Sequence, residues 1–374
     1  MNVFRMPVSA VALAGVALLI TGAAARPASA HPEPGPVPLR ALAAGTGVRV
    51  GTAVDMAALA DDTTYRGTTA REFNSVTAEN VMKWESVEPS RGTYDWGPAD
   101  DLVRFARAHG QAVRGHTLVW HNQLPGWLTA GVADGSIGAT ELRAVLRDHI
   151  TAEVKRYKGR IYQWDVVNEV FEEDGSLRNS IWLQQLGPSY IEDAFRWAHA
   201  ADPKAKLFLN DYNVEGINAK STAYYDLAKR LRAQKVPVQG FGIQGHLAIQ
   251  YGFPGQVAEN LARFEELGMQ TAFTEVDVRM ILPVDEGKLA TQATYFRGLL
   301  DACVQARRCT SFTVWGFSDK YSWVPGVFGG QGAATLMDEE YGRKPAFAAV
   351  GEGLRAGLGE GLSEGLSEGL RQGS

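Results

Sequence analysis

The sequence predicts an α/β protein built as a single (β/α)8 barrel domain. Three observations lead there. About 310 residues between two compositionally biased ends carry eight short β-type runs. Most of the gaps between those runs hold helix-like sequence. The C-terminal ends of the runs repeatedly carry polar residues rather than turn formers alone. Eight strand–helix units in a chain of this size is the count of a closed parallel barrel. An open doubly wound sheet is the alternative. It calls for a glycine-rich turn after the first strand, where V-G-T-A-V-D stands instead, and no phosphate-binding loop occurs.

The elements follow in order. Residues 1–30 read as a secretory signal peptide. Arg5 supplies a positive start, an apolar run follows, and A-S-A at 28–30 is a small-residue cleavage signal. A membrane anchor is the other reading. The apolar stretch is short for a span, is interrupted by Ser9, Gly15, Thr21 and Gly22, and lacks a basic stop-transfer flank. Cleavage after Ala30 and a secreted, extracellular protein with no membrane attachment are therefore expected. Residues 31–40, H-P-E-P-G-P-V-P-L-R, read as an extended proline-rich leader.

The catalytic-size domain spans 41–350. Its β-type runs are 48–54, 73–78, 112–120, 161–169, 206–212, 240–246, 271–278 and 311–317. Residues 99–110, 222–234 and 254–268 space their apolar side chains near the helical repeat. In residues 351–374 leucine recurs every four positions and hints at a helical stripe. Glycine recurs as often and opposes a helix by about 1 kcal/mol per residue, so a disordered tail is expected.

Charge and cysteine content exclude several function classes. Losing Arg5 and Arg26 with the signal takes the formal charge from −5 to about −7. An acidic exported chain without a basic cluster is a poor ligand for nucleic acid. Cys303 and Cys309, six apart, fit a short-loop disulfide in an exported protein, worth about 2–3 kcal/mol. Their spacing fits neither a redox nor a zinc pattern, and no metal or other cofactor is expected.

The strand ends carry the chemistry. Side chains there meet over one mouth of a parallel barrel. The second run offers Glu79, Asn80 and Lys83, and the third His116, Trp120, His121 and Gln123. The fourth offers Asn168 and Glu169, the fifth Asn210 and Asp211, the sixth Gln244 and His246. The seventh offers Glu275 and Asp277, and the eighth Trp315 and Asp319, with Trp323 beyond. Burying so many polar groups is costly unless they serve a site. Two carboxylates and several tryptophans suggest sugar chemistry. Glycosidic cleavage needs a proton donor for the leaving oxygen and a second carboxylate across the sugar, and strands four and seven face one another. Three side-chain directions follow from spacing. Gln244 with His246, and His116 with Trp120, share a strand face, and Glu79 with Lys83 shares a helical turn. Trp84, Trp96 and Trp164 read as supports in the core.

Six motifs, in one order, sharpen this. They are F-N-S-V-T-A-E-N-V-M-K-W, R-G-H-T-L-V-W-H-N-Q-L-P-G-W-L, W-D-V-V-N-E, G-F-G-I-Q-G-H, F-T-E-V-D-V and T-V-W-G-F-S-D-K-Y-S-W. Over roughly residues 40–350 the chain resembles glycoside hydrolase family 10, the (β/α)8 endo-β-1,4-xylanases. The resemblance implies a retaining enzyme acting on xylan and xylo-oligosaccharides, with Glu169 as acid/base and Glu275 as nucleophile. It implies that His246 hydrogen-bonds the nucleophile and that Asn168 meets the 2-hydroxyl beside the cleaved bond. Asp277, two after Glu275 and on the same strand face, is read either as holding that histidine's tautomer or as a barrel salt-bridge partner alone. His116 and Trp120 would wall the subsite where the glycosyl-enzyme forms, and Glu79, Asn80 and Lys83 would line the next one outward. Gln123, Gln244, Trp315 and Trp323 would complete the substrate contacts. His121 and Asp319 are placed as cleft linings. Asn122 stands where the family usually has serine, and Val324-Pro325 where some members carry a basic residue. A monomer is expected. A non-catalytic polysaccharide-binding barrel and a β-1,4-glucanase are the competing readings; the first would normally lack one of the two glutamates.

Overall fold

The computed structural model describes residues 37–357. Eight parallel strands close a barrel. They are β1 (Arg49–Val54), β2 (Ser75–Ala78), β3 (Ala112–Gly115), β4 (Ile161–Asn168), β5 (Lys206–Asp211), β6 (Gly240–Ile243), β7 (Gln270–Ile281) and β8 (Cys309–Val314). Each pairs with the next, and β8 returns to β1. Closure is visible at one residue: Gly51 faces Ser75 of β2 on one side and Thr313 of β8 on the other.

Helices cover the outside because their apolar residues recur every three or four positions. Helix Gly97–Ala108 buries Leu102, Val103, Phe105 and Ala106, and helix Val257–Glu266 buries Val257, Leu261 and Phe264. Burying a side chain such as Phe264 contributes about 1.5–3 kcal/mol. Helix Ala219–Ala233 starts where Asn218 and Ser221 cap each other, and helix Glu286–Gln305 where Asp285 accepts from the Lys288 amide. Cys303, in that last helix, is bonded to Cys309 at the start of β8, with Cα atoms 5.2 Å apart.

Two of the expected strands are shorter than the sequence suggests. The third ends at Gly115, not at residue 120. Beyond it the Asp165 carbonyl accepts both from the Thr117 hydroxyl and from the Leu118 amide, each at 3.0 Å. Pairing resumes only at a single bridge between Val119 and Val167. The sixth stops at Ile243, because the Gly245 amide donates to the Glu215 carboxylate at 3.2 Å rather than to a strand, and a short strand reopens at His246–Ala248.

Both ends of the domain also differ from expectation. The leader was expected through residue 40, yet a helix begins at Leu39, whose side chain is fully buried and whose amide donates to Glu72 at 3.0 Å. Arg343 meets the same buried carboxylate at 2.8 Å, so Glu72 joins the beginning of the domain to its end. The expected disorder from residue 351 is corrected as well: residues 345–357 are helical, with Val350 and Leu354 fully buried. The glycines that oppose a free helix allow a close approach here. A Cβ at Gly357 would lie 2.2 Å from Val304, and one at Gly353 2.7 Å from Leu300. Helix packing overrides propensity. The signal peptide, most of the leader, and the tail from 358 to 374 lie outside the described residues. No helix among the described residues is long and apolar enough to cross a membrane.

The tryptophans expected as supports behave as such. Trp164 and Trp84 are buried, and Trp96 packs edge-on against Tyr157 at 6.0 Å. Trp84 stacks on His149 at 3.7 Å and on Trp182 at 5.5 Å, and the Trp182 ring N–H donates to the Trp120 carbonyl at 2.7 Å. This stack fixes the loop that delivers Trp120. His149 lies 3.5 Å from Glu88 on one side and 3.5 Å from Glu153 on the other. Burial pushes the Glu153 carboxyl well above its ordinary range and keeps the His149 imidazole below its own. Folded Glu153 therefore keeps a proton that the unfolded chain releases above its ordinary value of 4.5. Stability drawn from that group falls as pH rises past that value. Glu153→Gln removes the penalty. Its denaturant midpoint is expected to gain on the parent's as pH rises above 4.5; parallel curves would contradict the assignment.

Candidate active site

A cleft of about 810 Å³ opens over the C-terminal ends of the strands. The residues that line it come from nearly every strand end, as the barrel requires.

Glu275 lies midway along β7, and its residue surface is only 4 % exposed. One carboxylate oxygen accepts from the Asn210 side-chain amide at 2.8 Å, and the other lies 3.3 Å from His246 Nε2. His116 Nδ1 stands 3.8 Å from it. Burial alone would push this carboxyl up. The field of His116 and the hydrogen bond and charge of His246 override burial and hold it at about 2. Glu275 is ionised across the physiological range.

The donors are themselves held. His246 Nδ1 meets Asp277 at 2.9 Å, and the two residues face each other in strand register. Burial opposes charge on His246, but Asp277 and Glu275, one on each ring nitrogen, push it up to about 10. The ring is an imidazolium donating from both nitrogens, where a tautomer fixed by Asp277 was expected. The Trp323 ring N–H also donates to Asp277, at 2.7 Å. His116 Nδ1 meets Asp165 at 2.8 Å, and Asp165 also holds the buried Arg114. Asn210 is aimed by Thr274, whose hydroxyl donates to its carbonyl oxygen at 2.7 Å.

Glu169 sits directly after β4 in the left-handed region, at φ 57. A non-glycine residue there is held at a cost of about 1–3 kcal/mol by its surroundings. Its amide bonds the Asn210 carbonyl at 2.9 Å, and Arg178 Nε bonds its own carbonyl at 2.8 Å. The carboxylate accepts from Trp120 Nε1 at 2.8 Å, from Gln244 at 3.2 Å and from Asn168 at 3.2 Å. Asn168 accepts in turn from Asn210 at 2.8 Å. Asn168 and Asn210 are register partners on β4 and β5. The two glutamates are thus joined through two amides.

At one end of the cleft Lys83 donates to Asn80 at 3.0 Å and to Gln123 at 2.7 Å, and its ammonium lies 5.1 Å from the Trp120 ring centre. Burial pushes Lys83 down, and burial together with Asp55 raises Glu79 to about 7. Trp315 packs edge-on to His116 at 5.2 Å and Trp323 to His246 at 5.0 Å, so both indoles flank the carboxylate.

Of the expected site residues, Glu79, Asn80, Lys83, His116, Trp120 and Gln123 line the cleft, with His121 beside them. Asn168, Glu169, Gln244, His246, Glu275, Trp315 and Trp323 line it too, and Asp277 stands behind His246. The local geometry inferred for some differs. His116 with Trp120, and Gln244 with His246, do not share a regular strand, and residues 79–83 form bends and turns rather than helix. Asp319 is elsewhere: it bonds Thr335 and the Lys344 ammonium at 2.8 Å. Asp211 turns outward to Lys220 at 2.9 Å and Tyr224 at 2.6 Å. Arg178, Tyr212, Asn213, Arg279 and Phe328 line the cleft without having been singled out. Tyr212 directly follows a strand end, and Arg279 lies two residues past Asp277, so period and position pointed to both.

His116, Asp165 and Glu275 bring ligand atoms within 4.8 Å of one another, a spacing a small cation could bridge. Arg114 already supplies the positive charge to Asp165 there. What the arrangement offers chemically is a carboxylate that stays ionised near neutral pH, in one mouth with a second one that has different partners, between aromatic faces and amide donors. Asp277→Asn should leave His246 facing one carboxylate instead of two. In NMR titrations its imidazolium is expected to lose its proton at lower pH than in the parent; an unmoved titration would refute the role given to Asp277.

The glycosyl hydrolase family 10 model matches residues 38–352. The chain is 45% identical over 305 residues to an endo-1,4-β-xylanase of Agaricus bisporus, covering 81% of this chain and 90% of that one. It is 43% identical over 319 residues to endo-1,4-β-xylanase B of Thermotoga neapolitana, covering 84% and 91%. Native xylanase 10B from Thermotoga maritima superposes with a TM-score of 0.83 at 43% identity, covering 87% of this chain and 100% of that one. Xylanase 10B from Thermotoga petrophila, solved with xylobiose, gives 0.83 at 42%, covering 87% and 99%.

Proposed function

The chain belongs to glycosyl hydrolase family 10, and from that premise we propose that it is a secreted endo-1,4-β-xylanase that cleaves internal bonds of xylan with retention of configuration. The observation that carries this reading is the pairing of an ionised, buried Glu275 with Glu169 in one hydrogen-bonded network. A carboxyl held at about 2 cannot serve as an acid near neutral pH, so proton donation falls to Glu169.

Glu169 donates its proton to the leaving oxygen while a Glu275 oxygen attacks the anomeric carbon. The glycosidic bond breaks and a glycosyl ester forms. Glu169, now ionised, takes a proton from water. That water attacks the same carbon, the ester breaks, and Glu275 leaves as a carboxylate. The His246 imidazolium and the Asn210 amide already face the Glu275 oxygens before substrate arrives, so holding that charge costs no reorganisation. In this reading Asn168 takes the 2-hydroxyl of the attacked sugar. Trp315 and Trp323 offer ring faces to sugar rings, and Glu79, Asn80, Lys83 and Gln123 offer polar contacts on the non-reducing side. Xylose lacks the hydroxymethyl group of glucose, so exclusion of cellulose is steric and modest, and a slow β-glucanase side activity is expected. Xylobiose bound in the Thermotoga petrophila relative supports xylo-oligosaccharides as ligands. Export rests on the basic start, apolar run and A-S-A of residues 1–30.

Viscosity and new reducing ends, followed together on xylan and on soluble cellulose, test the activity. A fast viscosity drop on xylan with few new ends, and much slower loss on cellulose, is expected. No hydrolysis of xylan would refute the reading. Glu169→Ala tests the acid. Its loss is expected to be far larger on xylan than on aryl xylosides with good leaving groups, by at least about 100-fold, and equal losses would refute the role.

A further inference from the structure

Glu169 is aimed by its backbone as much as by its side-chain donors. It stands at φ 57 directly after β4, and the chain leaves the strand through that turn. The backbone groups around the turn all have partners. The Glu169 amide donates to the Asn210 carbonyl at 2.9 Å, and the Glu169 carbonyl accepts from Arg178 Nε at 2.8 Å. The Val170 amide donates to the Tyr224 hydroxyl at 2.9 Å. Arg178 lines the cleft, within reach of substrate. Tyr224 is fully buried behind the turn and touches no sugar.

The Tyr224 hydroxyl is itself oriented. It accepts from Val170, so its own proton must point elsewhere, and Asp211 takes it at 2.6 Å. This gives a task to Asp211, the strand-end acid that turns away from the cleft. Its other oxygen meets the buried Lys220 ammonium at 2.9 Å, and Lys220 reaches on to Glu173 at 3.0 Å, in the segment that follows Glu169. Lys220 and Tyr224 lie one turn apart on one face of helix Ala219–Ala233. The Tyr224 ring is locked as well: Phe171 packs edge-on to it at 4.8 Å, and Phe241 lies 5.1 Å away. The chain past Glu169 rests on the start of the same helix, where a Cβ at Gly175 would lie 3.0 Å from the Ala219 carbonyl oxygen. A helix outside the barrel thus backs the turn that carries Glu169.

We propose that Tyr224, oriented by Asp211, is a positioning residue for the proton donor: its hydroxyl holds the left-handed turn that keeps the Glu169 carboxyl against Trp120, Gln244 and Asn168. The inference rests on the xylanase reading and deepens it. Without the hydroxyl, the Val170 N–H is left unpaired away from water, and the turn relaxes toward the backbone conformations that a non-glycine residue prefers. The Glu169 carboxyl then shifts relative to the leaving oxygen. Glu275 keeps its own donors, Asn210 and His246. The loss therefore falls on proton donation and spares nucleophilic attack.

Two aryl β-xylobiosides that differ only in their leaving phenol test this. A dinitrophenol departs without a proton, whereas unsubstituted phenol needs one, and kcat/KM reports the first bond cleavage for each. In Tyr224→Phe, which keeps the ring, the ratio of kcat/KM for the phenyl over the dinitrophenyl substrate is expected to fall about 10- to 100-fold below the parent's. Loss of folded protein lowers both values alike and leaves the ratio unmoved. Tyr65→Phe is the control: its buried hydroxyl also takes a backbone amide, that of Asp55 at 3.1 Å, but beside β1, so the ratio should stay at the parent's value. A ratio unchanged in Tyr224→Phe, or lowered as far in Tyr65→Phe, overturns the proposal while leaving the parent's xylanase activity intact. A parent that cleaves neither xylobioside overturns the xylanase reading, and this inference falls with it.

Discussion

The Glu275 carboxylate is a charge in a place where a charge should not be. It is 4 % exposed and yet stays ionised. Taking a carboxylate out of water costs several kcal/mol unless donors and opposite charge replace the solvent. Much of the barrel mouth follows from meeting that requirement. Asn210 must donate to Glu275, so Thr274 holds its other end. His246 must carry a proton, so Asp277 faces its far nitrogen. His116 must lie close, so Asp165 holds it, and Asp165 in turn needs Arg114. Removing a link near the bottom of this chain acts on Glu275 without touching substrate.

The barrel explains why such a network can exist. Parallel neighbours bring side chains of successive strands into register, and the network draws its members from several strands. Arg114 and His116 come from β3 and just beyond it, Asp165 and Asn168 from β4, Asn210 from β5 and Glu275 from β7. Asn168 and Asn210 meet because they are register partners. The same two amides carry the link onward to Glu169, whose left-handed backbone turns its carboxylate to the Trp120 and Gln244 donors. Two carboxylates in one mouth are thereby given different surroundings, which is what separate roles as nucleophile and acid require.

Much of this was legible in the residues. Apolar runs that end on Glu169 and Glu275 marked both carboxylates, and polar strand ends marked the mouth. The supports beneath were harder to see. Arg114 and Asp165 stand inside motifs that were recognised, but nothing in a one-dimensional pattern says that they bond to each other. Asn210 looked like one polar strand end among several, and its task depends on three partners distant in sequence. Asp319 looked like a cleft residue, and Lys344, a residue 25 positions on, draws it away. Strand lengths misled where regular pairing breaks off, after Gly115 and after Ile243, where the Gly245 amide turns to the Glu215 carboxylate. The glycine-rich C-terminal helix misled because glycine opposes an isolated helix yet permits close packing on Leu300 and Val304.

The central claim is that Glu275, kept ionised by its buried donors, attacks the sugar. It is tested most directly by trapping the intermediate. A 2-deoxy-2-fluoro-β-xylobioside with a good leaving group slows breakdown of the glycosyl-enzyme more than its formation. Mass analysis of peptides from the treated protein should find one fluoroxylobiosyl unit on the peptide that contains Glu275. A label on Glu169 instead, or turnover with no covalent adduct and an inverted product, would contradict the account.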